Sequence, residues 1–106
     1  MKKFLTVFLS SFAMFVNAGD INCQGAVRFT MDYPGKCNGN IVFMTEGANG
    51  SNGKWICPPS EKGNPLVLAA LASGKEVQPY IDDQGGSITC SNMPNYVQAK
   101  YLVLVK

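Results

Sequence analysis

The chain has 106 residues, four cysteines, no histidine and a formal charge of +2. That length allows one small domain whose thin core needs staples or partners. The lack of histidine excludes Ser-His-Asp and Cys-His catalysis, and with no CxxC pair it argues against a zinc site.

Met1-Lys2-Lys3 is a basic start, Phe4 to Val16 is almost wholly apolar, and Val16 and Ala18 place small residues where a signal peptidase reads. Residues 1–18 therefore read as a signal peptide cleaved after Ala18, too short to serve as a membrane anchor. The expected product is one domain, residues 19–106, secreted or periplasmic, where disulfides persist. Its seven basic and seven acidic residues are scattered. Nothing in that balance points to nucleic acid or an anionic membrane surface.

Ala26–Tyr33 alternates, with Val27, Phe29, Met31 and Tyr33 on one face and Arg28, Thr30 and Asp32 on the other. The pattern predicts a half-buried strand with the first set inward. Pro34-Gly35 and Asn38-Gly39 mark the following turn, and Asn40–Glu46 predicts a second strand. Gly47–Gly53 reads as a flexible polar loop without core-forming side chains. It is not a phosphate loop, because it lacks Gly-Lys-Ser/Thr and no helix follows it directly. Asn49-Gly50-Ser51 is formally a glycosylation sequon, read as ordinary polar loop. Lys54–Cys57 begins a third strand, stopped by Pro58-Pro59.

A helix is expected next, with Asn64 as N-cap, Pro65 at its first position and Gly74 just past its end. From Pro65 to Ala72 it carries no charged or hydrogen-bonding side chain, so it is apolar nearly all round. Either its alanines form an exposed side, which soluble proteins tolerate, or both sides are covered, by the barrel and by neighbouring subunits, with Leu66, Val67, Ala70 and Leu71 as interface residues. Lys75–Asp82 predicts the fourth strand, with an edge where Pro79 lacks its donor. Asp83–Gly86 reads as a turn, Ser87–Cys90 as a short strand piece and Val97–Val105 as the last strand. Three strands, one helix, then two or three strands is the element order of an OB-fold. The fold class expected is mainly β: a small OB-fold-like barrel of five to six strands with the helix between strands three and four.

An even cysteine count in an exported chain predicts two disulfides. Cys23 and Cys37 flank the first strand, which holds them more than about 20 Å apart, beyond disulfide reach. In such a barrel the first strand's start lies near the fourth strand's end, and the turn after strand one lies beside the end of strand three. This predicts Cys23–Cys90 and Cys37–Cys57, with Cys57–Cys90 as the rival link.

No catalytic residues and no cofactor are expected. Asp82 and Asp83 are neighbours in a turn, so their carboxyls diverge instead of facing across a cleft as a hydrolase pair must. Among the aromatic residues Trp55, Tyr33, Tyr80, Tyr96 and Tyr101, Trp55 is the best candidate for ligand contact because it borders the polar loop. Tyr80 is kept beside it.

The stretch Gln24–Asp82 resembles the B subunits of subtilase-cytotoxin and pertussis-like AB5 bacterial toxins. Gly25-Ala26-Val27-Arg28-Phe29, the strand ending in Glu46-Gly47, the Gly/Ser-rich loop, Cys57 and the helix closed by Ser73-Gly74-Lys75 carry the likeness. Ala70 to Lys75 is also similar to a motif of small exported bacterial proteins. The resemblance implies an OB-fold subunit in a ring, commonly a homopentamer with helices at its centre. It also implies a cell-surface glycan as ligand and an enzymatic A subunit as partner. Gln24 stands where the family has a glycan-contacting serine, Ile81 where it has a tyrosine, and Asp20 matches an upstream acid. The ligand-binding candidates are thus Asp20, Gln24, Trp55 and Tyr80. The function expected is a secreted, non-enzymatic, oligomeric glycan-binding subunit. The alternative is a stand-alone exported binding or inhibitor module without sugar binding.

Overall fold

A computed structural model describes residues 19–106. The signal-peptide reading falls on residues 1–18, outside the described residues. The elements are β1 (Asp20–Asn22), β2 (Gly25–Asp32), a 3-10 turn (Cys37–Gly39), β3 (Ile41–Glu46) and β4 (Ile56–Cys57). Then come α1 (Gly63–Ser73), β5 (Glu76–Asp82), β6 (Val97–Gln98) and β7 (Tyr101–Leu104).

The chain from β1 to β2 is one strand bent at Cys23–Gln24, and both halves pair antiparallel with β5. β6 and β7 are likewise two halves of one strand: Ala99 N–H donates to the Cys57 carbonyl, whereas Lys100 N–H donates to that of Tyr80. β2 pairs with β3, β3 with β4, β4 with β6 in parallel, and β5 with β7. Counting each bent pair once, five strands close in the order 1-2-3-5-4 and back to 1. The protein is a small, mainly β, OB-fold-like barrel with its helix between the third and fourth of these strands.

Phe43, Ile56, Val77, Ile81, Met93 and Cys23 fill the interior, each fully buried. Val67 and Ala70, one helical turn apart, carry α1 onto this core. Those two were expected at an oligomer interface. Both are fully buried within the chain, so the barrel uses them instead. The outward face of α1 is Pro65, Leu68, Ala69, Leu71 and Ala72, with Leu68 46% and Leu71 40% exposed; Leu66 is half-buried.

The expected inward row on the first strand is corrected beyond Val27. A bulge places Val27 opposite Thr45 but Phe29 opposite Met44, leaving Arg28 as the extra residue. The alternation flips there. Thr30 now faces Phe43, while Phe29 is 54% exposed and Tyr33 lies open on the surface.

Asn64 does not cap α1. The helix starts two residues earlier at Gly63, and the Asn64 carboxamide instead accepts the Ile41 N–H at 3.0 Å, tying the helix start to β3. Gly74 ends the helix as expected, at φ 76° with its N–H on the Ala70 carbonyl. Pro79 is not on a free edge, since β5 has partners on both sides. Its carbonyl accepts the Cys23 N–H at 3.1 Å, so its missing donor faces the bend between β1 and β2, where the ladder is already broken. Ser87–Cys90 forms turns rather than a strand.

The disulfides join Cys23 to Cys90 and Cys37 to Cys57, with Cα separations of 5.6 and 5.2 Å. This is the expected connectivity, and the pairing fits a protein that folds in an extracellular or periplasmic compartment.

Candidate functional site

A cleft of about 510 Å³ opens beside the bend between β1 and β2. Asn22 and Ile21 form its floor, Gly47–Gly50 and Asn52 one wall, and Thr89–Ser91 the other. A smaller recess of about 310 Å³ shares Asn22 and the Gly47–Asn49 wall, and adds Gln24 and Glu76.

Each wall is fixed by a short-range bond that reaches the same strand. The Thr89–Ser91 wall is held by the Cys23–Cys90 disulfide. Within it, Thr89 N–H donates to Asn92 Oδ1 and Asn92 N–H to Thr89 Oγ1. The opposite wall corrects the reading of Gly47–Gly53 as a flexible loop with no core-forming side chain. Ser51 is fully buried; its Oγ accepts the Thr45 N–H at 3.1 Å, and its own N–H donates to Thr45 Oγ1 at 2.8 Å. Thr45 Oγ1 in turn donates to the Cys23 carbonyl at 2.8 Å, which joins the two walls through one residue. Gly50 is packed so closely that a Cβ there would lie 2.6 Å from the Thr45 carbonyl oxygen.

The lining mixes apolar surface from Ile21, Ala48 and the Cys90 side chain with polar groups, and among the described residues it is nearly uncharged. It offers carboxamides (Asn22, Gln24, Asn49, Asn52), hydroxyls (Thr89, Ser91) and loop backbone, with Glu76 the only charged side chain. Gln24 Nε2 donates to Glu76 Oε1 at 2.6 Å, and Gln78 Nε2 donates to Gln24 Oε1 at 2.9 Å. Asn22 Oδ1 is buried and has no donor among the described residues. An unsatisfied acceptor at such a position is the kind of group that a ligand hydroxyl or a water completes.

The four sequence candidates separate. Gln24 lines the recess directly. Tyr80 lies opposite Asn22 on β5; its hydroxyl donates to Gln78 Oε1, and its ring packs 5.2 Å from that of Tyr101. It flanks the site and lines neither recess. Asp20 is engaged elsewhere: Lys100 Nζ donates to its Oδ1 at 2.8 Å, and the Tyr101 hydroxyl donates to its Oδ2. Those bonds hold the Asp20 carboxyl below its usual range, Lys100 first and Tyr101 second. The same carboxylate raises both Lys100 and Tyr101. Trp55 lines neither recess. Its N–H donates to Asn95 Oδ1 and its carbonyl accepts the Tyr96 N–H.

The sequence candidates omit Asn22, Asn49 and the Thr89–Ser91 wall. Their polarity was visible, but beyond the pairing of Cys23 with Cys90 their convergence also depends on the Thr45–Ser51 hydrogen bonds that fold the Gly47–Asn52 loop back towards Cys23. Among the described residues no cluster of histidine, cysteine, aspartate or glutamate could hold a metal ion, and no helix is long and apolar enough to cross a membrane. Set against known protein families, characterised proteins and solved structures, the chain matches none.

Proposed function

We propose that this is an exported, non-enzymatic binding protein whose cleft takes a neutral glycan. The observation that carries the reading is the lining of that cleft. Carboxamides and hydroxyls can each donate and accept, which suits the paired donor and acceptor character of sugar hydroxyls. Among the described residues no lysine or arginine lines it, which favours neutral over anionic sugar residues. The disulfide and the Thr45–Ser51 pair pre-position both walls, so little ordering cost is left for binding. Export rests on the basic and apolar character of residues 1–18, and two disulfides are consistent with it.

The apolar outward face of α1 supports an oligomer, with Leu68 and Leu71 as its most prominent side chains. The likeness to AB5 B subunits extends this reading to a ring and an enzymatic partner subunit.

A glycan array probed with labelled residues 19–106 tests the ligand. Binding to neutral, galactose-type chains that is lost in Asn22→Ala is the expected result. Silence across galactosylated and sialylated sugars would replace this reading with a stand-alone exported module that binds no sugar. Light scattering coupled to size exclusion tests the assembly; a monomer at micromolar concentration would remove the ring.

A further inference from the structure

Gly19 is held to the turn after β5 by both of its backbone groups. Its nitrogen donates to Asp83 Oδ1 at 2.8 Å, and its carbonyl accepts the Asp83 N–H at 2.9 Å. A side chain would crowd this contact, because a Cβ on Gly19 would lie 3.3 Å from Asp83 Oδ2. The surroundings are short of positive charge. Asp20 pairs across the ladder with Asp82, so the carboxylates of Asp20, Asp82 and Asp83 gather at one strand end. Lys100, bonded to Asp20, is the cation there, and the Tyr101 hydroxyl beside it is uncharged at neutral pH, its bond to Asp20 raising it further.

We propose that proteolytic processing between Ala18 and Gly19 turns the Gly19–Asp83 contact into an ion pair that stabilises the exported fold. The proposal rests on the export reading above. Hydrolysis by a signal peptidase breaks the Ala18–Gly19 C–N bond. The hydroxyl of water goes to the Ala18 carbonyl carbon, and the Gly19 nitrogen gains a proton to become an α-amine. At neutral pH that amine holds a further proton, so an ammonium stands where an uncharged amide stood, 2.8 Å from a carboxylate oxygen. Charge-assisted hydrogen bonds are roughly twice as strong as neutral ones. Cleavage one residue earlier leaves an amide at this place, and cleavage one residue later removes the group. The contact singles out this bond among its neighbours.

The pairing has a distinct pH signature. A neighbouring carboxylate raises the α-amine above its ordinary value of about 7.7–8.0. A group raised on folding adds stability below its unfolded value, and that stability is lost as pH rises through the folded value. The chain has no histidine and no free thiol, so nothing else ordinarily titrates between about pH 6 and 9.

The test begins with the intact mass of the exported protein, expected to start at Gly19. A terminus at any other residue overturns the assignment of the processed bond, and with no cleavage at all the export reading falls too. Urea unfolding then compares recombinant protein starting at Gly19 with the same chain retaining Ala18. At pH 6.5 the Gly19 form should have a folding constant roughly three- to tenfold larger. The difference should shrink between about pH 8 and 9.5 and should be absent in Asp83→Asn. Equal stability of the two forms at pH 6.5, or a difference that survives Asp83→Asn, overturns the ion pair while leaving export intact.

Discussion

Thr45 and Ser51 hold each other across the turn after β3 by two reciprocal hydrogen bonds, and both residues are buried. The pair fixes a loop whose composition alone reads as mobile. It also reaches Cys23, and through Cys23 the opposite wall of the cleft.

Ser51→Ala removes the acceptor for the Thr45 N–H without filling the space. An orphaned buried donor costs about 1–3 kcal/mol. In a domain of this size each kcal/mol lowers the melting temperature by about 4–8 °C. Thermal unfolding followed by circular dichroism should show that fall. Asn49→Ala, at an exposed position on the same loop, should leave the melting temperature within about 2 °C of the parent. If the two variants melt alike, the loop is not anchored through Ser51.

The element order, the helix stop at Gly74 and the disulfide pairing were all legible, because each follows from local chemistry or from barrel closure. The first strand's inward row was not. A bulge is one residue inserted against its partner strand, and Arg28 looks like any other strand residue until β3 is aligned beside it. Asn64 shows a related limit: the same carboxamide suits an N-cap or a tie to β3, and only packing decides. Met93 lies in a polar loop yet is fully buried, since the segment after β5 folds back over the core. The cleft and its smaller neighbouring recess were legible only in part because their lining comes from four separate stretches of chain. Gln24 was found through resemblance, and Asn22 beside it was missed.

The two disulfides should contribute unequally. Cys23–Cys90 closes 67 residues and Cys37–Cys57 closes 20. On loop-closure entropy alone these give about 4.4 and 3.3 kcal/mol. Replacing each pair with alanine and measuring chemical denaturation should show the larger loss for Cys23–Cys90, which also leaves space at the fully buried Cys23 site. That variant should lose glycan binding as well, because the Thr89–Ser91 wall is no longer tied to β1. An equal loss of stability would count against the entropic ranking.

Gly25 begins β2 where the strand meets both β3 and β5, and a Cβ there would lie 2.5 Å from the Glu46 carbonyl oxygen. That atom is backbone in a paired strand, so it cannot swing aside as a side-chain end would. Gly25→Ala should therefore destabilise by at least about 2 kcal/mol, in the range of other overpacking changes. Denaturant midpoints provide the measurement. An unchanged midpoint would mean that the corner between β2 and β3 is looser than the register implies.

Asp20 links the start of β1 to β7 through Lys100 and Tyr101, and the stability this adds should be lost at both ends of the pH scale. Its carboxyl is lowered on folding, so its contribution is present above the unfolded value of about 3.9 and is lost as pH falls through the folded value. Lys100 and Tyr101 are raised on folding, so theirs is present below about pH 10 and is lost as pH rises further. Urea midpoints measured from pH 2 to 11 should fall on both sides for the parent. In Asp20→Asn both limbs should flatten, because one carboxylate takes part in all three shifts. Tyr101→Phe should soften the alkaline limb and leave most of the acid limb, since Lys100 is the larger cause at Asp20. These groups lie at the surface, so salt should weaken both limbs together. An acid limb unchanged in Asp20→Asn would place its origin in another carboxylate and would remove Asp20 as the tie between β1 and β7.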